Sequence, residues 1–258
     1  MQKFLASIGR AFLDFLSATG SLVNFGLLAI WYGIRPPYYP RIILRQMIEI
    51  GYYSLPVVGL TALFTGMVLA LQTYTGFSRF AAESAIPNVV VLSVTRELGP
   101  VIAGLMVAGR IGAAIAAEIG TMRVTDQIDA LTTLSTNPFR YLVAPRLLAG
   151  LVMLPVLVLV ADIIGVFGGF LVSAYKLNFN HASYIQRSID FVQTQDVVAG
   201  LAKAAVFGFV VTLMGCYNGY HSRGGAQGVG AATTYAVVSA SILILIFDYV
   251  LTEAFFAR

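Results

Sequence analysis

The chain has 258 residues, of which 58% are hydrophobic and only 11% are charged. Soluble globular domains carry about 25% charged residues, so this composition excludes an ordinary soluble fold. The net charge is +4, but the basic residues are spread along the polar loops, which indicates membrane topology and not nucleic-acid binding.

The length is that of a single domain, 1–258. A membrane span needs roughly 20 apolar residues, so about five spans use nearly the whole bundle region. We therefore predict an all-α integral membrane protein with an interfacial helix region at 1–45 and a transmembrane bundle at 46–258. No room remains for a separate soluble catalytic domain.

The first predicted element is an amphipathic helix over residues 3–33. Its apolar side comprises Phe4, Ile8, Phe12, Phe15, Thr19 and Leu22, and its polar side comprises Ser7, Arg10, Asp14, Ser17 and Ser21. This pattern is typical of a helix that lies in the membrane interface. A helix that packs on a partner subunit is the alternative. The segment 35–40, which contains three prolines, then interrupts the chain.

Five apolar stretches follow, and we predict spans at 50–72, 88–117, 142–173, 197–218 and 231–254. The loops on one predicted side carry most of the Lys and Arg residues, among them Arg41, Arg45 and Arg123. The positive-inside rule makes this side cytoplasmic. The N-terminus is then expected in the cytoplasm and the C-terminus on the opposite side.

The second span contains charged residues where hydrocarbon is expected, at Arg96 and Glu97, and Gly99-Pro100 follows them directly. Ionisable groups at membrane depth usually face the bundle interior or a water-filled cavity. A Gly-Pro pair breaks or kinks a helix. Two interpretations stay open, a substrate cavity or a structural ion pair that fixes the kink.

The same span carries small residues at every fourth position, namely Gly104, Ala108, Gly112, Ala116 and Gly120. Such a stripe lets helix backbones approach closely in lipid. It predicts tight helix packing, but the partner helix can belong to the same chain or to a second copy.

A short amphipathic helix is predicted over 118–134, on the cytoplasmic side. Val124, Ile128 and Leu131 give it an apolar face, whereas Asp126 and Asp129 lie on another. A helix that rests on anionic lipid headgroups would place these acids unfavourably. The pattern therefore favours docking of a soluble partner.

Lys203 and Asp248 are predicted to form a structural ion pair. Each lies about six residues from the same end of its span, so antiparallel neighbours bring both to a depth of roughly 9 Å. Asp162, midway in the third span, has no obvious partner in the sequence.

The sequence lacks the residues that several classes of enzyme require. No Gly-x-x-x-x-Gly-Lys-Ser/Thr phosphate loop occurs. The two histidines, His181 and His221, fall in loops on opposite predicted sides, and Cys216 is the only cysteine. We therefore predict no catalytic residues, no metal site and no cofactor.

The long motif from Arg96-Glu-Leu-Gly-Pro100, through Gly109-Arg-Ile-Gly112, to Ala117-Glu-Ile-Gly-Thr-Met-Arg-Val-Thr-Asp-Gln-Ile-Asp129 resembles the MlaE/YrbE permease family. Phe247-Asp248-Tyr-Val-Leu251 and Asn137-Pro138 extend the resemblance over nearly the whole chain. The resemblance implies the membrane subunit of an ABC-type phospholipid transporter in the cell inner membrane. This subunit is not an enzyme, because ATP is hydrolysed on a separate chain.

The resemblance also implies the partners: a cytoplasmic ABC ATPase, a periplasmic MCE-domain protein, a STAS-domain protein and a second copy of the chain. Such systems move phospholipid between the inner and outer membranes and maintain outer-membrane lipid asymmetry.

Carried onto this sequence, the implied sites are as follows. The lipid-binding candidates are Leu69, Gln72, Tyr74, Phe77, Phe80, Arg96 and Glu97. The ATPase-coupling candidates are Glu118, Thr121, Arg123, Asp126 and Asp129. Where close relatives carry a basic residue early in the last span, this chain has Tyr235.

Three other functions are alternatives. A proton-coupled secondary transporter would use the buried acids and bases as a relay, but no inverted repeat is visible. An intramembrane lipid-modifying enzyme would need a nucleophile and a base, and a structural scaffold would bind no lipid.

Overall fold

The computed structural model describes residues 2–80 and 82–256, and in these ranges the chain is helical, without β-strands. The helices are α1 (Gln2–Ile34), α2 (Pro40–Ile50), α3 (Leu55–Phe77), α4 (Ile86–Ser93), α5 (Gly99–Val107), α6 (Ala113–Val124), α7 (Gln127–Thr133), α8 (Ala144–Tyr175), α9 (His181–Phe191), α10 (Thr194–Tyr220) and α11 (Gly225–Phe256). An all-helical chain suits lipid, because each helix satisfies its own backbone hydrogen bonds. The predicted all-α membrane fold is confirmed.

One crossing of the bundle is built from three helices. The π-helical turn Val94–Leu98 joins α4 to α5, and a second one, Ala108–Gly112, joins α5 to α6. A third, Phe139–Val143, precedes α8. Single π turns are rare insertions in α-helices and are frequent at functional sites.

The bundle has two ends, which we name by the short helices that they carry. The α7 end contains residues 125–138 and 221–224, and there the Arg123 guanidinium lies 5.8 Å from the ring centre of Tyr220. The α9 end contains residues 78–80, 82–85 and 176–193, and there Arg187 Nη1 donates to the carbonyl oxygen of Ser84 at 2.9 Å. The loops therefore alternate between the two ends in the order that the sequence predicts.

By length and composition, the described residues contain six candidate spans and not five. They are Phe12–Ile34, Pro40–Phe80, Glu83–Val124, Phe139–Tyr175, Thr194–Tyr220 and Gly225–Phe256. The additional candidate belongs to α1, whose Phe25 packs against Phe139 and Tyr220 at the α7 end. The side chains of Phe4, Ser7, Ile8, Arg10 and Phe15, on which the amphipathic pattern partly depends, lie outside the described residues. An interfacial position for α1 stays a prediction.

The core of the bundle is α8, which packs between α3 and α10 through glycines. A Cβ atom on Gly66 of α3 would lie 1.8 Å from the carbonyl oxygen of Gly165 on α8. A Cβ atom on Gly208 of α10 would lie 2.1 Å from the carbonyl oxygen of Gly150 on α8. The backbones are in direct contact at both crossings, which is the packing that small residues permit in membranes.

The stripe of small residues on α5 and α6 contacts helices of the same chain. Next to Gly104 lie Phe207 of α10 and Ile244 of α11, and next to Gly112 lies Val211 of α10. The choice that the sequence left open is thereby resolved in favour of packing within one chain.

The structure divides the predicted helix 118–134 into two parts. Helix α6 continues to Val124, and α7 begins only at Gln127. Between them Asp126 has a φ of 58°, in the left-handed region. This conformation ends the long helix and gives α7 a direction of its own.

We expect Gly208→Ala to destabilise the protein strongly, because the added methyl group has no space beside the Gly150 carbonyl. Gly112→Ala is the matched control, since its Cβ would meet the nearest atom, Val211 Cγ1, at an ordinary 3.6 Å. Thermal unfolding of both variants in mild detergent measures the difference. Equal melting temperatures for the two variants would contradict the direct backbone contact.

Candidate functional site

The site begins at the π-helical turn Val94–Leu98, which joins α4 to α5. Pro100 has no backbone N–H and cannot make the usual α-helical bond to the carbonyl oxygen of Arg96, four residues earlier. Lys203 of α10 donates to this oxygen, with its Nζ at 3.1 Å. The break or kink predicted at Gly99-Pro100 is thus a π turn within one continuous helical span, Glu83–Val124.

Lys203 is completely buried, with 0% of its surface exposed. Its Nζ lies 2.7 Å from Glu97 Oε2 and 3.0 Å from Asp248 Oδ1. It also contacts Thr252 Oγ1 at 2.6 Å. The structure thus contains the expected contact between Lys203 and Asp248 and adds Glu97 as a second carboxylate. A buried charge needs such partners, because leaving water costs several kcal/mol per ion.

A second pair adjoins the first. Arg96 Nε donates to Asp196 Oδ1 at 2.7 Å, and the Arg96 guanidinium lies 4.1 Å from the ring centre of Phe256. Asp196 is held in place because its Oδ2 accepts from the backbone N–H of Gln193, at the start of α10. The sequence analysis missed Asp196. Its signal is the Gln193-x-x-Asp196 capping box.

These five side chains, Arg96, Glu97, Asp196, Lys203 and Asp248, form what we call the charge cluster. The members differ in access: Lys203 and Asp196 are buried, whereas Arg96 and Glu97 are partly exposed. A polar ligand can therefore reach Arg96 and Glu97 without disturbing the buried members. The cluster offers cations and carboxylates for binding, and it contains no nucleophile with an adjacent base.

The other lipid-binding candidates lie elsewhere on the chain. Leu69, Tyr74 and Phe77 pack against the small apolar cluster formed by Ala70, Ile86, Val90 and Val94. Gln72 and Phe80 are exposed. Arg96 and Glu97, by contrast, contact α10 and α11. A single lipid cavity formed by all seven residues stays a prediction.

Of the coupling candidates, Glu118 makes the contact that reaches furthest into the bundle. Its Oε2 lies 2.8 Å from Arg146 Nη2 of α8, and Arg146 is almost fully buried. Arg146 Nη1 also donates to the carbonyl oxygen of Leu142 in the third π turn, at 2.7 Å. This pair fastens the end of α6 to the start of α8.

The remaining candidates surround α7. Arg123 Nη1 lies 2.8 Å from Asp129 Oδ1, so this pair bridges the turn at Asp126. Thr121 is exposed and donates only to the Ala117 carbonyl of its own helix. Helix α7 buries Ile128, whereas Leu134, directly after it, is 74% exposed. The segment presents acids and one apolar side chain to solvent.

Arg110 is a further residue to which the sequence analysis assigned no role. It lies in the second π turn, and its Nη1 donates to the carbonyl oxygen of Glu49 at 3.1 Å and to Ser54 Oγ at 2.8 Å. It therefore ties the middle crossing to the end of α2. Its position in the Gly-Arg-Ile-Gly motif is the available signal.

The chain is similar to known proteins over nearly its whole length. The family described as Permease MlaE matches residues 43–254. A Rickettsia felis protein, "Probable ABC transporter permease protein", is 58% identical over 97% of this chain and 96% of its own length.

Two more distant relatives carry more specific names. The Haemophilus influenzae "Intermembrane phospholipid transport system permease protein MlaE" is 37% identical over 98% of both chains. The Arabidopsis thaliana "Protein TRIGALACTOSYLDIACYLGLYCEROL 1, chloroplastic" is 37% identical over 83% of this chain and 61% of its own length.

We expect Lys203→Met to lower the free energy of unfolding by about 3 kcal/mol, because it leaves Glu97 and Asp248 without their buried cation. Lys176→Met, at an exposed lysine, is the control. Thermal and denaturant unfolding in detergent measure the effect.

Adding Glu97→Gln and Asp248→Asn to Lys203→Met removes the unpaired charges, so we expect the triple variant to recover most of the loss. A Lys203→Met protein as stable as the Lys176→Met control would show that the cluster is not required for the fold.

Proposed function

Because the chain belongs to the MlaE permease family, we propose that it is the membrane permease of an ATP-driven phospholipid transporter. The family match confirms the resemblance seen in the sequence. In the proposed system, lipid moves between the inner and outer membranes, and outer-membrane lipid asymmetry is maintained. The observation that carries the proposal is the similarity to the Haemophilus intermembrane phospholipid permease, which extends over nearly the full length of both chains.

An ATPase on a separate chain would supply the energy, since the sequence has no phosphate loop. The α7 end offers the docking surface. Asp126 and Asp129 are exposed there, and Leu134 presents an apolar side chain that a groove on the partner can enclose. An amphipathic helix in a hydrophobic groove is a common mode of recognition.

Motion of α7 would reach the charge cluster along α6 and α5. Glu118 and Arg146 join the end of α6 to α8, and the small-residue stripe packs this crossing tightly on α10. Tightly packed helices move as rigid units and not by continuous deformation. The π turns at 94–98 and 108–112 are therefore the places where the crossing would bend.

Lipid would contact Arg96 and Glu97 through its headgroup, because these are the accessible members of the charge cluster. Leu69, Gln72, Tyr74, Phe77 and Phe80 would provide the wall for the acyl chains. Within one chain these two groups face different helices. A second copy of the chain, facing the first, would bring them to a shared cavity.

The orientation follows from the basic loops. The α7 end carries Arg123, Arg140 and Arg223, so it would face the cytoplasm, where the ATPase and its STAS-domain partner are found. The α9 end would then face the periplasm and an MCE-domain protein. In this arrangement the N-terminus is cytoplasmic, the C-terminus is periplasmic, and the protein resides in the inner membrane.

The first test is co-purification in mild detergent followed by native mass spectrometry. We expect two copies of this chain together with ATPase subunits, an MCE assembly and bound phospholipid. A chain that purifies alone, without an ATPase and without lipid, would overturn the proposal, and flux measurements across a proton gradient would then be the next experiment.

We also expect Leu134→Ala to weaken binding of the ATPase by about tenfold, because a buried apolar anchor contributes on the order of 1–2 kcal/mol. Leu44→Ala is the matched control, since Leu44 is similarly exposed but belongs to α2. Quantitative pull-down from membranes measures both. Wild-type binding by the Leu134 variant would place the ATPase elsewhere.

A further inference from the structure

A groove separate from the charge cluster lies between α8, α9 and the first turn of α10. Its volume is about 460 Å³, which is in the usual range for small-molecule sites. The walls are apolar, and they include Leu159, Ile163, Val166 and Phe167 from α8 with Ile185 and Ile189 from α9. We call this feature the α8–α9 groove.

One carboxyl group interrupts the apolar wall. Asp162 lines the groove and is only 6% exposed. Among the described residues it has no hydrogen-bond or ion-pair partner, and its Oδ1 is buried without one. Oδ1 lies against Gly99, where a Cβ atom would come within 1.8 Å of it. An ionised carboxyl group buried in this way costs several kcal/mol unless a partner reaches it.

The neighbouring cations already have partners. Lys203 binds Glu97 and Asp248, and Arg96 binds Asp196, so these cations lie where the first π turn faces α10 and α11. A partner for the ionised Asp162 would then come from outside the described chain. It would bring N–H or O–H donors, because an ionised carboxylate only accepts hydrogen bonds.

We propose that the α8–α9 groove binds an amphiphile with a primary ammonium group, whose ammonium contacts Asp162 while its apolar chain lies along α8 and α9. An ammonium group supplies both the opposite charge and three N–H donors. A quaternary ammonium group supplies charge without donors, and an alcohol supplies a donor without charge.

The hydroxyl groups of Thr95 and Ser188 belong to residues that also line the groove. Thr95 Oγ1 donates to the carbonyl oxygen of Val91 at 2.9 Å, and Ser188 Oγ donates to that of Tyr184 at 2.9 Å. Each hydroxyl has therefore already used its proton, and only its lone pairs face the groove. They suit the remaining N–H groups of an ammonium ion and not a second acceptor.

The rim of the groove indicates how such a ligand enters. Ile163 and Phe167 are exposed along the outer side of α8, and Ile189 is exposed on α9. In a membrane the α8 part of this rim faces hydrocarbon, so an amphiphile can enter sideways from the bilayer with its chain leading, whereas α9 lies outside the candidate spans. The proposed site does not include the charge cluster, so it can be tested independently of the proposed transport cycle.

The test uses the full chain in nanodiscs of phosphatidylcholine, whose headgroup has no N–H donor. A single Ile189→Cys substitution at the rim is labelled with a maleimide, while the native Cys216 is buried. Dodecylamine, dodecyltrimethylammonium and dodecanol are added as probes of equal chain length. We expect dodecylamine to protect the thiol at a concentration at least about tenfold lower than either other probe. Tyr175→Cys, exposed outside the groove, corrects for general effects on the bilayer.

Asp162→Asn should remove the tenfold preference for the amine, whereas Asp190→Asn, at an exposed acid on α9, should keep it. Equal protection by the three probes in the otherwise unmodified protein, or an unchanged preference after Asp162→Asn, would overturn the proposal. The comparison of the three probes needs no substitution at Asp162. It therefore tests the proposal even if the Asp162→Asn variant fails to fold.

A final measurement of thiol protection identifies which kind of molecule supplies the ammonium group. Part of the phosphatidylcholine is replaced by phosphatidylethanolamine. Protection that depends on Asp162 would make a membrane aminophospholipid the ligand, whereas protection by dodecylamine alone would restrict the site to single-chain amines.

Discussion

The buried ammonium group of Lys203, on α10, joins the first π turn to α11. It donates to Glu97 and to the backbone carbonyl oxygen of Arg96 in the π turn, and to Asp248 and Thr252 on α11. Irregular helix in a membrane is tolerated where neighbouring side chains satisfy backbone groups. The lysine supplies such a donor beside Pro100, and its charge is balanced by the two carboxylates.

The rest of the fold keeps this junction rigid. Glycine contacts bring α8 directly onto α3 and α10, so the backbones themselves set the helix positions. Such contacts leave little freedom for gradual deformation. The π turns are the irregular points of the bundle, and two of them lie on the crossing that links the α7 end to the charge cluster. This combination of close crossings and local irregularities fits the proposed subunit, which would receive motion at one end and respond within the membrane.

Two faces of the helix around the first π turn carry different kinds of side chain. On one face, cations and carboxylates satisfy one another around Lys203. On the other face, Gly99 has no side chain, and the Asp162 carboxyl group takes the space without a partner. The charge cluster therefore lies on one side of the Gly99-Pro100 pair. The apolar α8–α9 groove, with Asp162 in its wall, lies on the other side.

The sequence by itself determined the all-α membrane fold, the alternation of loops between two ends and an irregular helix at Gly99-Pro100, because hydropathy, the positions of the loops and the missing proline donor act locally. It also pointed to Lys203 and Asp248, whose equal depths follow from helix rise. Tertiary structure decided what depends on which helices are neighbours. Only the fold brought Glu97 to Lys203, Asp196 to Arg96 and Arg146 to Glu118, since these pairs are distant in the chain. Asp162 lines a groove without a partner only in the folded chain, because the helices that pack around it decide which groups can reach it.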